Sequence, residues 1–200
     1  MSDPLFEGIR CFGASDPLYA RYHDEEWGRP VVDGRGLYER VSLEAFQSGL
    51  AWITILRKRE AFRAAFAGFD PERVADFGEA DVQRLLADAG IVRNRQKIEA
   101  TIANARAIIA LRQADRSFEE IVLAHRPAER NGAPKDFSEV PGSTPESAAL
   151  AKALKKAGVR FVGPTTAYAL QQAVGHVNDH LAGCIVRDDV EAERSQVFGH

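Results

Sequence analysis

The chain has 200 residues, 45% of them hydrophobic and 28% charged, and its 26 Lys and Arg against 29 Asp and Glu leave a formal charge of −3. That profile is an ordinary globular one, with room for a single domain and a sizeable core, and no apolar run is long enough to cross a bilayer. MSDPLFEGIR at the N-terminus lacks the basic start and apolar core of a secretory signal, so a cytoplasmic setting is expected, where the two cysteines are disfavoured as a disulfide.

In chain order, Asp16-Pro17 opens a first helix, and VSLEAFQSGLAW continues the helical pattern around Glu44. Asp70-Pro71-Glu72 supplies a cap, a proline at the first helical position and an acid in the first turn. In LLADAGIVRNRQKIEATIANAR one helix ends at Ala89, Gly90 breaks it, and another starts near Asn94, with Ile98, Ile102, Ala105 and Ile109 on one face. Residues 126–147 are rich in Pro, Gly and polar residues and form a loop or boundary. Thr144-Pro145-Glu146 opens a helix with Ala149, Leu150, Ala153, Leu154 and Ala157 on its apolar face. Only VRFV, at 159–162, tempts a strand assignment, and residues 187–200 show no periodic face and read as a frayed tail. The expected fold is all-α, with about eight to ten helices. One domain over 1–186 is expected, in two helical groups, about 34–125 and 1–33 plus 145–186.

Several residue groups carry chemistry. Cys11 with His23, and His180 with Cys184, make a possible Cys2His2 set, although small buried cysteines and surface histidines satisfy the same spacing. Tyr19, Tyr22, Trp27 and Trp52 form a stacking pocket if they converge, and core filling if they do not. Glu44 lies in an apolar stretch, either on a solvent face or buried to meet a cation or amine. The turn after Gly90 leaves backbone N–H groups for a phosphate, reinforced by Arg93, Arg95 and Lys97, and a plain αα-hairpin fits equally. Further basic clusters, Arg57 to Arg63 and Lys152 to Arg160, read as solvated helix faces or as a duplex-facing surface that the net charge conceals.

Taken together, RCFGASDPLYARYHDEEWG, SLEAFQSGLAWITILRKRE, DAGIVRNRQKIEATIANAR, LKKAGVRFVGPTTAYALQQAVG and VNDHLAGC resemble, in order, the blocks of the 3-methyladenine DNA glycosylase I family, from about residue 10 to 186. The resemblance implies a zinc-containing helix–hairpin–helix fold, with Cys11, His23, His180 and Cys184 as ligands of one structural zinc. It implies Glu44 as the carboxylate that recognises a flipped base. Tyr22 and Trp52 become pocket walls, with Tyr19 and Phe12 close by. Gly49 and Leu50 become the loop that probes the duplex, and Gly90, Ile91, Val92 and Arg93 the phosphate-binding hairpin.

The implied activity is hydrolysis of the N-glycosidic bond of 3-methyladenine in alkylated double-stranded DNA, without a lysine nucleophile, by a monomer. A non-catalytic helical zinc protein that binds damaged nucleic acid is the alternative. The family usually has a tryptophan two positions after the first zinc cysteine. Gly13 stands there in this chain, with Phe12 as the nearest aromatic, so one pocket wall is expected to differ.

Overall fold

The computed structural model describes residues 9–128 and 132–199. Residues 1–8 of the N-terminal stretch, three residues of the 126–147 loop and His200 lie outside that description. Among the described residues there are ten α-helices and no strand: α1 (Pro17–Glu25), α2 (Gly34–Gln47), α3 (Trp52–Ala65), α4 (Pro71–Ala75), α5 (Glu79–Ala87), α6 (Arg95–Gln113), α7 (Phe118–Leu123), α8 (Pro145–Lys156), α9 (Pro164–Ala173) and α10 (Arg187–Phe198).

The starts follow the local chemistry. Asp16, Asp70 and Thr144 each accept from a backbone N–H of the first turn, each is followed by a proline, and Asn94 caps α6 in the same way. The turn before α6 begins two residues early, because α5 ends at Ala87 and Asp88 Oδ1 accepts from Gly90 N at 2.7 Å.

One core joins α2, α3, α6, α8 and α9 through Leu37, Phe46, Ile55, Phe62, Ile98, Ile102, Ile108, Leu150, Leu154 and Leu170. On α6 the buried face runs through Ile98, Ile102, Ala105 and Ile108, while Ile109 is only half-buried. On α8 the buried residues are Ser147, Leu150, Ala151 and Leu154, and Ala149 faces solvent, because the helix packs on α9 along a narrower seam.

Two expectations are corrected. VRFV is not a strand: Gly158 (φ +91°) stops α8, Pro164 starts α9, and between them the Asn104 side chain takes both Arg160 backbone groups, accepting from its N–H at 2.7 Å and donating to its C=O at 3.2 Å. The stretch from 187 is not a frayed tail but α10. It docks through Val190, fully buried, and through Arg194, whose Nε donates to Gly175 O at 2.7 Å and whose NH2 donates to His176 O at 3.2 Å. Arg29 and Glu193 pair as well. Gly175 (φ +76°) lets the segment after α1 come close, since a Cβ there would stand 2.7 Å from the Arg29 carbonyl carbon.

Candidate functional site

The two ends of the described chain meet at a side-chain cluster. Cys184 Sγ lies 3.4 Å from His23 Nε2 and 3.3 Å from His180 Nδ1, and Cys11 Sγ lies 3.6 Å from His180 Nδ1. All four ligand atoms fall within 4.8 Å of one another, and His23 and His180 are fully buried. The edge of a tetrahedron of Zn–S and Zn–N bonds is roughly 3.3–3.8 Å, so these three contacts match such a frame.

The second nitrogen of each ring supports the same reading. His23 Nδ1 faces Asp24 Oδ1 at 2.8 Å, and His180 Nε2 faces the Trp27 carbonyl at 2.9 Å. Both oxygens only accept, so those nitrogens carry the protons, and Nε2 of His23 and Nδ1 of His180 turn lone pairs inward. Burial pushes the Asp24 carboxyl up, but Arg10 and His23 hold it below its usual range. The hydrogen bond between the two sulfurs pushes the Cys11 thiol up and holds Cys184 far down, and Leu181 N donates to Cys11 Sγ at 3.2 Å. Four donors with fixed tautomers can hold one metal ion, and the set suits zinc.

Against this clasp packs a cleft of about 400 Å³. Its near wall is aromatic. Phe12 stands 4.8 Å from Tyr19 and 5.0 Å from Trp27, centroid to centroid, and Tyr22 stands 5.2 Å from Trp52. Gly13 (φ +81°) cannot be a tryptophan without displacing backbone, since its Cβ would lie 2.8 Å from the Tyr19 carbonyl carbon. Phe12 therefore occupies this wall. At the floor is Glu44, 5% exposed, whose carboxyl burial pushes up to about 8 while Arg40 partly offsets this. Burial likewise raises the Tyr22 phenol, keeping it protonated.

The far wall was not visible in the sequence. It comes from Thr165, Tyr168, Ala169 and Gln172 of α9 and from Phe137, Val140 and Pro141 of the loop before α8. Tyr168 OH donates to Asp179 Oδ2 at 2.6 Å, and Gln172 Nε2 donates to the same oxygen at 2.9 Å, so the residue before His180 fixes this wall. The spacing of VNDH carried the only signal, and that signal pointed to the metal.

The remaining expected residues lie around the mouth or beyond it. Leu50 is 39% exposed on a tight turn in which Gly49 has φ +84° and Leu50 N donates to Gln47 O at 2.7 Å. Lys97 does not face solvent. Its Nζ is buried and donates to Phe46 O at 2.9 Å and Ser48 O at 2.7 Å, capping the end of α2. In the 88–94 turn Ile91 is buried and Val92 half-buried, while Ala89, Arg93 and Asn94 are exposed.

Most of the first two basic clusters is spent internally: Arg59 on Glu26, Arg63 on Glu39 and Glu60, Arg95 on Glu79 and Glu99, and Arg57 on Asp16. The third cluster, Lys152, Lys155, Lys156 and Arg160, is exposed beside the α8–α9 turn. Gly163 caps α9 there with no side-chain acceptor, leaving the first N–H groups of that helix open.

The sequence matches the family described as methyladenine glycosylase over residues 12–188. It is 50% identical over 179 residues to DNA-3-methyladenine glycosylase 1 of Escherichia coli (strain K12), covering 88% of this chain and 95% of that protein. A crystal structure of 3-methyladenine DNA glycosylase I superposes with a TM-score of 0.85 at 49% identity, covering 88% of this chain and 98% of the other. The Staphylococcus aureus enzyme, solved for the basis of its 3-methyladenine recognition, gives 0.83 at 34% identity, with 88% and 95% covered. A match that runs through the aromatic wall, Glu44 and both halves of the far wall makes this chain a member of the methyladenine glycosylase family.

Proposed function

We propose that this protein excises 3-methyladenine from alkylated DNA by hydrolysing the N-glycosidic bond, releasing free base and leaving an intact abasic site. The observation that carries the proposal is Glu44, a carboxyl kept out of water at the floor of an aromatic cleft. Adenine methylated at N3 is cationic in DNA, and its glycosidic bond is weakened. Extruding the base costs a few kcal/mol. Stacking on Tyr22, Trp52 and Phe12 offsets this by about 1–3 kcal/mol per contact. A cation over these faces gains about 0.5–2 kcal/mol that neutral adenine lacks.

Glu44 is mostly protonated at neutral pH, since burial pushes its carboxyl up to about 8. An adjacent cation lowers a carboxyl by roughly one to three units, so the arriving base ionises Glu44. The carboxylate then accepts from the exocyclic amine. As the bond to C1′ breaks, the base takes the bonding electrons and leaves neutral. Water adds at C1′ and gives up a proton to solvent, leaving a hydroxyl on C1′. Among the described residues no lysine lines the cleft to form a Schiff base, so the proposed reaction stops short of strand cleavage.

Cys11, His23, His180 and Cys184 would hold one zinc ion, and with four protein donors its role would be a structural clamp. DNA lies across the cleft mouth, with Leu50 at the gap and helix–hairpin–helix turns, including Gly90 to Arg93, on the phosphates. The non-catalytic alternative rested on the Phe12-Gly13 departure, and Phe12 lines the cleft.

The test is incubation of the purified monomer with N-methylated duplex DNA and chromatography of the released bases. 3-Methyladenine is the expected product, with strands intact until alkali is added. No released base, or release of neutral adenine at equal rate, overturns the proposal.

A further inference from the structure

Beneath the cleft floor lies a group of charges that catalysis as described does not use. Glu26, just past α1, is clamped from two sides. Arg59 donates to it twice, at 2.5 and 2.7 Å, and Arg40 NH2 donates at 2.9 Å. Arg40 and Arg59 keep only 11% and 12% of their side-chain surface. Two guanidiniums thus share one carboxylate, which leaves one positive charge in excess.

Arg40 NH1 is buried and has no hydrogen-bond partner among the described residues. Arg40 precedes Glu44 by four residues on α2, so both project from the same helix face. A buried, half-committed guanidinium is costly unless a counter-charge lies near, and the ionised Glu44 is the group that balances it. Tyr22 sits within the field of all four charges, which places them together under one ring.

We propose that Arg40 is a positioning residue that determines when Glu44 is ionised, making the cleft floor a four-charge unit, Glu44–Arg40–Glu26–Arg59, that is neutral only in the base-binding state. The inference rests on the reading of Glu44 as the base-recognising carboxylate. Burial alone drives Glu44 toward the neutral acid, and Arg40 is the one charge acting against it. The other titratable groups around the cleft do not compete. From α1 come the phenols of Tyr22 and Tyr19, both raised by burial, and from α9 Tyr168, which donates to Asp179. From α3 Arg59 is spent on Glu26.

The test is single-turnover excision of 3-methyladenine from duplex DNA across about pH 5 to pH 9, in wild type, Arg40→Met, Arg40→Lys, Glu26→Gln and Glu44→Gln, with melting recorded for each. Wild-type excision is expected to rise with pH to a plateau. Arg40→Met should move the rising limb up by about one pH unit, so that excision near neutrality falls about tenfold while the plateau is kept. Arg40→Lys should restore the limb.

Glu26→Gln frees both guanidiniums and should move the limb the other way, toward acid. That arm stands even if Arg40→Met fails to fold. A rate lowered equally at every pH, with an unmoved limb in Arg40→Met and in Glu26→Gln, means Arg40 is structural only and overturns the inference. Glu44→Gln is expected to leave a flat residual rate. If instead it keeps the full rising limb, the assignment of Glu44 itself fails, whatever Arg40 does.

Discussion

Glu44 is asked for two opposed things. Its position out of water favours the neutral acid, and its task requires the anion. The tension has a cost in stability with a definite sign. Burial pushes the folded carboxyl up to about 8 from its ordinary value of 4.5 in the unfolded chain, so the folded state holds its proton more tightly. The stability this confers is complete below the unfolded value and is lost as pH rises toward the folded one, by on the order of a few kcal/mol. Glu44→Gln has no proton to lose. Its melting temperature should exceed that of wild type by a margin that grows from about pH 5 to about pH 8 and then levels, while excision falls on the order of a hundredfold. A margin that is constant with pH would mean Glu44 is not buried as drawn. The apolar residues Val41, Leu43, Ala45 and Phe46 around Glu44 left it open between a solvent face and burial, and only the family resemblance singled it out. The far-wall residues Phe137, Tyr168 and Gln172 were not legible in sequence, because no periodicity ties them to Tyr22 or Glu44 and only tertiary packing brings them across the cleft.

At the scale of elements, the end of α2 governs how Leu50 is presented. Lys97, in the first turn of α6, satisfies the carbonyls of Phe46 and Ser48 that the helix leaves open. Sequence reading placed Lys97 among the phosphate contacts, since a lysine near a turn looks solvated, and nothing local says that its stem is buried. Lys97→Met keeps the stem and removes both bonds. It should cost about 1.5–3 kcal/mol and lower the melting temperature by several degrees. Excision from duplex should fall more than excision from single-stranded DNA, because only the duplex needs Leu50 held at the gap. Equal losses on the two substrates would put Lys97 outside that role. The same limit explains α10: RDDVEAERSQVF has too few apolar residues for a periodic face, and it docks largely by Arg194 on backbone carbonyls, contacts that hydropathy does not register. The helix starts at Asp16, Asp70, Asn94 and Thr144 were legible because caps are local.

For the molecule as a whole, the clasp decides whether the aromatic wall exists. Phe12, Tyr19 and Tyr22 sit between Cys11 and His23, so the wall is strung between two of the four ligands. Stripping the metal with a chelator, or Cys184→Ser, should abolish bound zinc, lower the melting temperature by roughly ten degrees or more, and remove excision while leaving most helical signal. Full zinc content in Cys184→Ser would contradict this ligand set. The large core through α2, α3, α6, α8 and α9 needs neither end of the chain, whereas the clasp closes a loop around nearly all of it. Contacts of such sequence separation form late, since the entropy of closure must be met before the contact repays it. On the reading of the clasp as a metal site, collapse and competence are separate events in the life of each molecule: the core assembles by itself, the pocket matures when an ion joins Cys11 and His23 to His180 and Cys184, and metal supply would set the pace at which newly made protein becomes able to repair DNA.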